Sequence, residues 1–165
     1  MSRILKQFYI ALLLGILSSA SWASVGPRVG ETAPDFSMTD LEKKVYTLKT
    51  LRSKGHVLLV FWSTRCHVCH AMIPQFKKIH TQYKNKGLTL VAINVGFEDR
   101  DDVDDYVFEY KLNYLVLNDD DQKSQIAQNY RLVGTPTMEL IAPDGKVLYR
   151  GHRIPANLDK LIAKP

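Results

Sequence analysis

Only two cysteines, Cys66 and Cys69, occur in the 165 residues. That is too few for a small scaffold stapled by disulfides. With 9 Gly and 7 Pro the chain is neither collagen-like nor low in complexity. An apolar share of 45% against 24% charged excludes intrinsic disorder. The N-terminal apolar run, Phe8 to Leu17, stops well short of the ~20 residues that a membrane-spanning helix needs. No Lys/Arg stripe with interleaved aromatics is present, so the net charge of +5 serves solubility and excludes a nucleic-acid footprint. Internal repeats and long linkers are also missing. What is left is one domain, long enough to bury a real core.

The first 23 residues read as an address. Arg3 and Lys6 open the chain, the Phe8–Leu17 run follows, and Ser18-Ser19-Ala20-Ser21-Trp22-Ala23 ends it. A basic start, a short apolar stretch and a small-residue end make a secretory signal peptide. Cleavage is expected after Ala23, with retention as an uncleaved amphipathic anchor as the alternative. Removing Arg3 and Lys6 leaves 20 basic against 17 acidic residues, a net +3. The mature chain, 24–165, is then expected in the periplasm or cell envelope, where disulfides persist. No cysteine lies near the cut to carry a lipid.

In the mature chain, Gly26 to Asp35 reads as irregular and Val45 to Leu48 as a short strand. His56 to Trp62 is a continuous apolar run, as expected for a strand buried on both faces. Cys69, Met72, Ile73, Phe76, Ile79 and Tyr83 then recur at helical spacing, and Gly87 ends that helix. Leu88 to Val95 predicts a second buried strand, Asp101 to Lys111 a helix, Tyr114 to Leu117 a strand and Asp121 to Tyr130 a helix. Pro136 to Ala142 and Lys146 to Arg150 flank Pro143-Asp144-Gly145, a hairpin signal, and Pro155 to Ala163 closes with a helix. This order predicts α/β layering: parallel strands with crossover helices, then an antiparallel hairpin.

The chemistry is expected where the buried strand meets the helix, at Cys66-His67-Val68-Cys69. A cysteine at a helix N-terminus faces unpaired N–H groups and the positive end of the helix dipole, which favour its thiolate. Cys66, the outermost, is the expected nucleophile. Cys69, one turn further in, is the expected resolving thiol for a mixed disulfide. His67 and Arg65 add donors that tune Cys66 toward thiolate. The pair itself carries two electrons, so no metal or organic cofactor is needed.

Other uses of the same residues are open. A structural disulfide across three residues closes too small a loop to gain much entropy. A zinc half-site would need two more ligands. Cys66-His67-Val68-Cys69-His70 also satisfies the C-x-x-C-H pattern of c-type haem attachment. The acidic group Glu98, Asp99, Asp101, Asp102, Asp104 and Asp105 lacks the glycine of a calcium loop and reads as a solvated helix start. Asp119 to Asp121 reads as a cap. His56, His80 and His152 stand alone and read as structural.

Five separated segments resemble the thioredoxin superfamily, in its exported TlpA/ResA-like branch. These are Gly30-Glu31-Thr32-Ala33-Pro34-Asp35-Phe36, Val60-Phe61-Trp62 with Cys66-x-x-Cys69 and Pro74, Asn94-Val95-Gly96, Gly134-Thr135-Pro136-Thr137, and Asp144-Gly145-Lys146-Val147. They cover about residues 28 to 165 in the family's order. The resemblance implies an α/β thioredoxin fold, a central mixed β-sheet flanked by helices, with an N-terminal extension. It implies a thiol–disulfide oxidoreductase with Cys66 and Cys69 as its redox-active disulfide. It also implies a cis Pro136 whose preceding residue, Thr135, docks an extended substrate, with Trp62 lining that surface. Substrates would be proteins with cysteines or disulfides, apocytochrome c included as for some relatives, with a membrane redox partner resetting the pair. A peroxiredoxin-like peroxidase shares the Gly30–Phe36 opening and is the rival activity. Many relatives carry acids where this chain has Val60 and Met72, and an aromatic where it has Arg65, which leaves the direction of electron flow open.

Overall fold

The apolar run His56–Trp62 forms a strand with all seven residues buried. A computed structural model describes residues 26–118 and 125–163. The expected signal segment and the Asp119–Asp121 cap lie outside the described residues. In chain order the elements are β1 (Ser37–Asp40), β2 (Val45–Thr47), α1 (Leu48–Arg52), β3 (His56–Trp62), α2 (His67–Tyr83), β4 (Leu88–Asn94), α3 (Arg100–Glu109), β5 (Leu115–Asn118), α4 (Gln125–Asn129), β6 (Thr137–Ile141), β7 (Val147–Gly151) and α5 (Leu158–Ile162).

The seven strands make one sheet in the order β2-β1-β5-β4-β3-β6-β7. β3, β4 and β5 run parallel, joined by the crossover helices α2 and α3. β6 pairs antiparallel with β3 and forms the expected hairpin with β7. Both faces of the sheet are covered, which is why β3 and β4 read as unbroken apolar runs rather than alternating ones. One core holds Leu58, Val60, Trp62, Cys69, Phe76 and Met138. The other holds Leu59, Phe61, Leu117, Tyr130 and Ile141. Alternate residues of β3 therefore feed opposite cores, as the period of two requires.

Two elements depart from the expectation. Ser37–Asp40 forms a strand although it carries no apolar run; it is held by pairing on both sides, with β2 and with β5. The strand expected at Val45–Leu48 ends at Thr47, where a capping box between Thr47 and Thr50 starts α1. The turn from α1 into β3 is tightly placed: a Cβ at Gly55 would lie 2.2 Å from the Gly87 carbonyl oxygen.

Candidate redox site

β3 delivers the chain to the site and α2 receives it. Between them, Cys66 is the N-cap of α2 and its Sγ accepts the backbone N–H of Cys69 at 3.1 Å. The outer sulfur thus occupies an orphan-donor position at a helix start, where negative charge is stabilised. Cys66 and Cys69 are joined in a disulfide with Cα atoms 5.2 Å apart. Cys66 is half-buried, whereas Cys69 is only 3% exposed and belongs to the core. Cys66 is thus the more accessible sulfur of the pair. Pro74 lies inside α2, where its missing N–H leaves the His70 carbonyl without its helical partner.

The loop before Cys66 is latched from β4. Glu98 accepts from the Thr64 backbone N–H (2.9 Å), from Thr64 Oγ1 (2.6 Å) and from Asn94 Nδ2 (2.6 Å), and its Oε1 lies 3.4 Å from Arg65 Nε. Asn94 Oδ1 in turn accepts from the Gly96 N–H. Burial alone would raise the Glu98 carboxyl, but the hydrogen bonds from Thr64 and Asn94 and the Arg65 charge outweigh it and hold the group below the ordinary carboxylate range. Glu98 is buried, not part of a solvated acidic helix start as expected. Phe97, at φ 55°, makes the backbone turn that separates an exposed ring from this inward carboxylate. Arg65 points its guanidinium toward Glu98 and the Gly96 carbonyl. Its charge is shared with that carboxylate rather than directed at Cys66 alone.

Beside the cysteines, His70 Nδ1 lies 3.1 Å from the Tyr106 hydroxyl, and its ring stands edge-on to Tyr110. Burial, with Tyr110, Glu109 and Glu98 nearby, pushes the Tyr106 hydroxyl above the usual tyrosine value, so it keeps its proton. Trp62 was expected on the docking surface. It is buried instead, with its ring centroid 5.2 Å from that of Tyr106 and Nε1 unpartnered among the described residues. It shares the Leu58–Val60 face of β3 and so points beneath α2. A void of about 10 Å³ behind Cys69 is lined by Val60, Trp62 and Tyr106 among others, and its lining holds no carboxylate.

The other half of the site is the loop leading into β6. The Thr135–Pro136 bond is cis. Because Phe61 pairs with Thr137, this loop lies beside the end of β3 from which the cysteine loop departs. His152 Nδ1 donates to the Pro136 carbonyl at 2.7 Å, and Thr137 Oγ1 donates to Gly134 at 2.7 Å. His152, expected to stand alone, supports the proline loop. No local signal marked it, since its partner is 16 residues away across a strand pair.

A disulfide at a strand-to-helix junction facing a cis-proline loop, on this sheet order, has clear counterparts. Residues 29–150 match the AhpC/TSA family. The thiol–disulfide oxidoreductase ResA of Bacillus thuringiensis subsp. konkukian is 33% identical over 139 residues, 83% of this chain and 78% of that protein. The chain belongs to the thioredoxin-superfamily thiol–disulfide oxidoreductases. ResA of Geobacillus thermodenitrificans is 31% identical over 149 residues, covering 87% of this chain and 83% of its own. A crystal structure from Chlorobium tepidum, assigned as the thiol:disulfide interchange protein DsbE, superposes with a TM-score of 0.72 at 28% identity over 82% of this chain and 96% of that one. The activity is that of a thioredoxin-like thiol–disulfide oxidoreductase, and the chain holds a Cys-x-x-Cys pair joined as a disulfide.

Proposed function

We propose that the protein is exported and exchanges disulfides with cysteine-bearing proteins of the cell envelope, with Cys66 attacking and Cys69 resolving. The observation that carries this reading is the outer sulfur of Cys66 at the α2 N-terminus, bonded to the buried sulfur of Cys69. In the reducing direction the Cys66 thiolate attacks a substrate disulfide. A Cys66–substrate bond forms as the substrate's S–S bond breaks, and the departing thiolate takes up a proton. Cys69, losing its own proton, then attacks Cys66 Sγ, re-forms the Cys66–Cys69 bond and releases the second substrate thiol. Thr135, ahead of the cis proline, presents its backbone to the incoming chain, and a membrane redox partner resets the pair. Apocytochrome c is one substrate to test. The paired sulfurs favour exchange over haem attachment, which would occupy both, and over a peroxidase built on a lone cysteine.

Insulin-type disulfide reduction is the test. Cys66→Ser abolishes turnover, and Cys69→Ser accumulates mixed disulfides with substrate. Turnover retained by the Cys66 variant overturns the reading. Envelope fractionation with N-terminal sequencing checks export, the expected mature chain beginning at Ser24. The reduction potential measured against glutathione sets the direction of electron flow.

A further inference from the structure

A groove of about 470 Å³ opens beside the disulfide, lined by Thr64, Arg65, His67, His70, Tyr106 and Tyr110. Its size falls in the range of small-ligand clefts, about 300–1,000 Å³. Its walls come from the cysteine loop and the first turn of α2 on one side and from α3 and its C-terminal end on the other. The polar groups that line it can all donate, and none is a carboxylate. Arg65 has five guanidinium N–H groups; the Nε–H faces Glu98 and one is given to the Gly96 carbonyl. The other three are left on a side chain that is 74% exposed. Glu98 holds that guanidinium in place from below, so little side-chain freedom is lost when an anion binds its outer edge. The 3.1 Å hydrogen bond between the Tyr106 hydroxyl and His70 Nδ1 occupies one ring nitrogen and leaves Nε2 as the one open to a ligand, which it can meet as an N–H donor in the Nε2 tautomer or as imidazolium. His67, the first residue of α2, adds a further exposed imidazole. Of the nearby carboxylates, Glu98 is turned inward and Glu109 is hydrogen-bonded to Tyr110; α3 also carries the exposed Asp101, Asp102, Asp104 and Asp105, none of which lines the groove.

We infer that this groove is a specificity subsite for a carboxylate next to the substrate's reactive cysteine, with Arg65 and His70 binding the carboxylate and Tyr106 positioning His70. The inference rests on the disulfide-exchange reading and names its preferred substrates: polypeptides with Asp or Glu beside the cysteine. In the exchange step the substrate thiolate attacks Cys66 Sγ. The Cys66–Cys69 bond breaks, a substrate–Cys66 bond forms, and Cys69 leaves as a thiolate that takes a proton from water. A carboxylate seated in the groove holds the attacking sulfur against Cys66 while this happens.

The test measures single-turnover rates of the oxidised protein with three cysteine peptides that differ only in Glu, Gln or Lys beside the cysteine. Each flanking residue also shifts the peptide's own thiol, so the deciding quantity is the Glu/Gln rate ratio in wild type divided by that ratio in a variant. The expected value is about fivefold for Arg65→Gln combined with His70→Gln, consistent with partly exposed charged contacts, and it shrinks in high salt. Tyr106→Phe, which keeps the ring, gives an intermediate value through loss of the His70 orientation. A double ratio of one, with the Gln peptide still reacting, overturns the subsite alone. A wild-type protein that reacts with none of the three peptides overturns the exchange reading beneath it. Unchanged melting of the Gln and Phe variants excludes misfolding as the source of any loss.

Discussion

Replacing Glu98 by Gln tests the latch under the cysteine loop. The carboxylate accepts three hydrogen bonds, two of them on Oε2 from Thr64 N and Asn94 Nδ2, while Oε1 takes Thr64 Oγ1 and faces Arg65. A glutamine with its carbonyl at the Oε2 position keeps two neutral bonds. Its amide then replaces Oε1 and turns N–H groups toward Arg65 Nε–H. Charge-assisted bonds contribute about 1.5–3 kcal/mol each and neutral ones about 0.5–1.5, so weakening two bonds and losing the third costs about 3.5–6 kcal/mol. At this size 1 kcal/mol moves the melting temperature by about 2–4 °C, so Glu98→Gln should melt about 10–20 °C lower at pH 7. The pH dependence has a definite sign. The carboxyl is held below its ordinary value in the folded state, so the unfolded chain binds more protons near pH 4. The stability that Glu98 adds is present above the unfolded pKa and lost as pH falls through the folded one. Melting curves from pH 7 downward should therefore show the gap between wild type and variant closing in acid, and peptide exchange should slow as the Thr64–Cys66 loop loosens. A variant that melts with wild type at pH 7, or a gap that stays constant into acid, would refute the latch.

Three further outcomes follow from the same geometry. Gly96→Ala places a Cβ 2.6 Å from Ser63 Cβ and 2.7 Å from the Glu98 carboxyl, which should destabilise by about 1–3 kcal/mol and slow exchange; calorimetry and single-turnover rates check both. Arg150→Met strips the partner from fully buried Glu139 and should cost about 3–5 kcal/mol in denaturant unfolding, with Glu139→Leu added in the same chain recovering most of it. His152→Ala removes the donor to the Pro136 carbonyl and should raise KM for protein substrates several-fold while leaving exchange with a small dithiol near wild type. Loss of both activities together would mean that His152 supports the whole site and not only the docking loop.

Sequence periodicity was sufficient for the elements whose stability is local or whose burial is complete. The β3 and β4 runs, the amphipathic α2 and the hairpin across Asp144-Gly145 are written in residues that have few other ways to hide their apolar faces. The cysteine spacing and its place between strand and helix were equally legible, because two sulfurs three residues apart at a helix start have little choice of geometry. β1 was not legible: Ser37–Asp40 becomes a strand only because β2 and β5 offer it hydrogen bonds on either side, and its own side chains carry no such preference. Trp62 was misplaced by its nearness to the cysteines along the chain, although both faces of β3 are buried and alternation from Leu58 and Val60 puts it in the core beneath α2. Glu98 and His152 were hidden for a deeper reason. Their meaning lies in partners 34 and 16 residues away, and a run of acids or a lone histidine looks the same whether it faces water or a carbonyl. Local pattern determined the framework and the reacting sulfurs; only the folded sheet, by bringing the ends of β3, β4 and β6 side by side, decided which polar groups surround them.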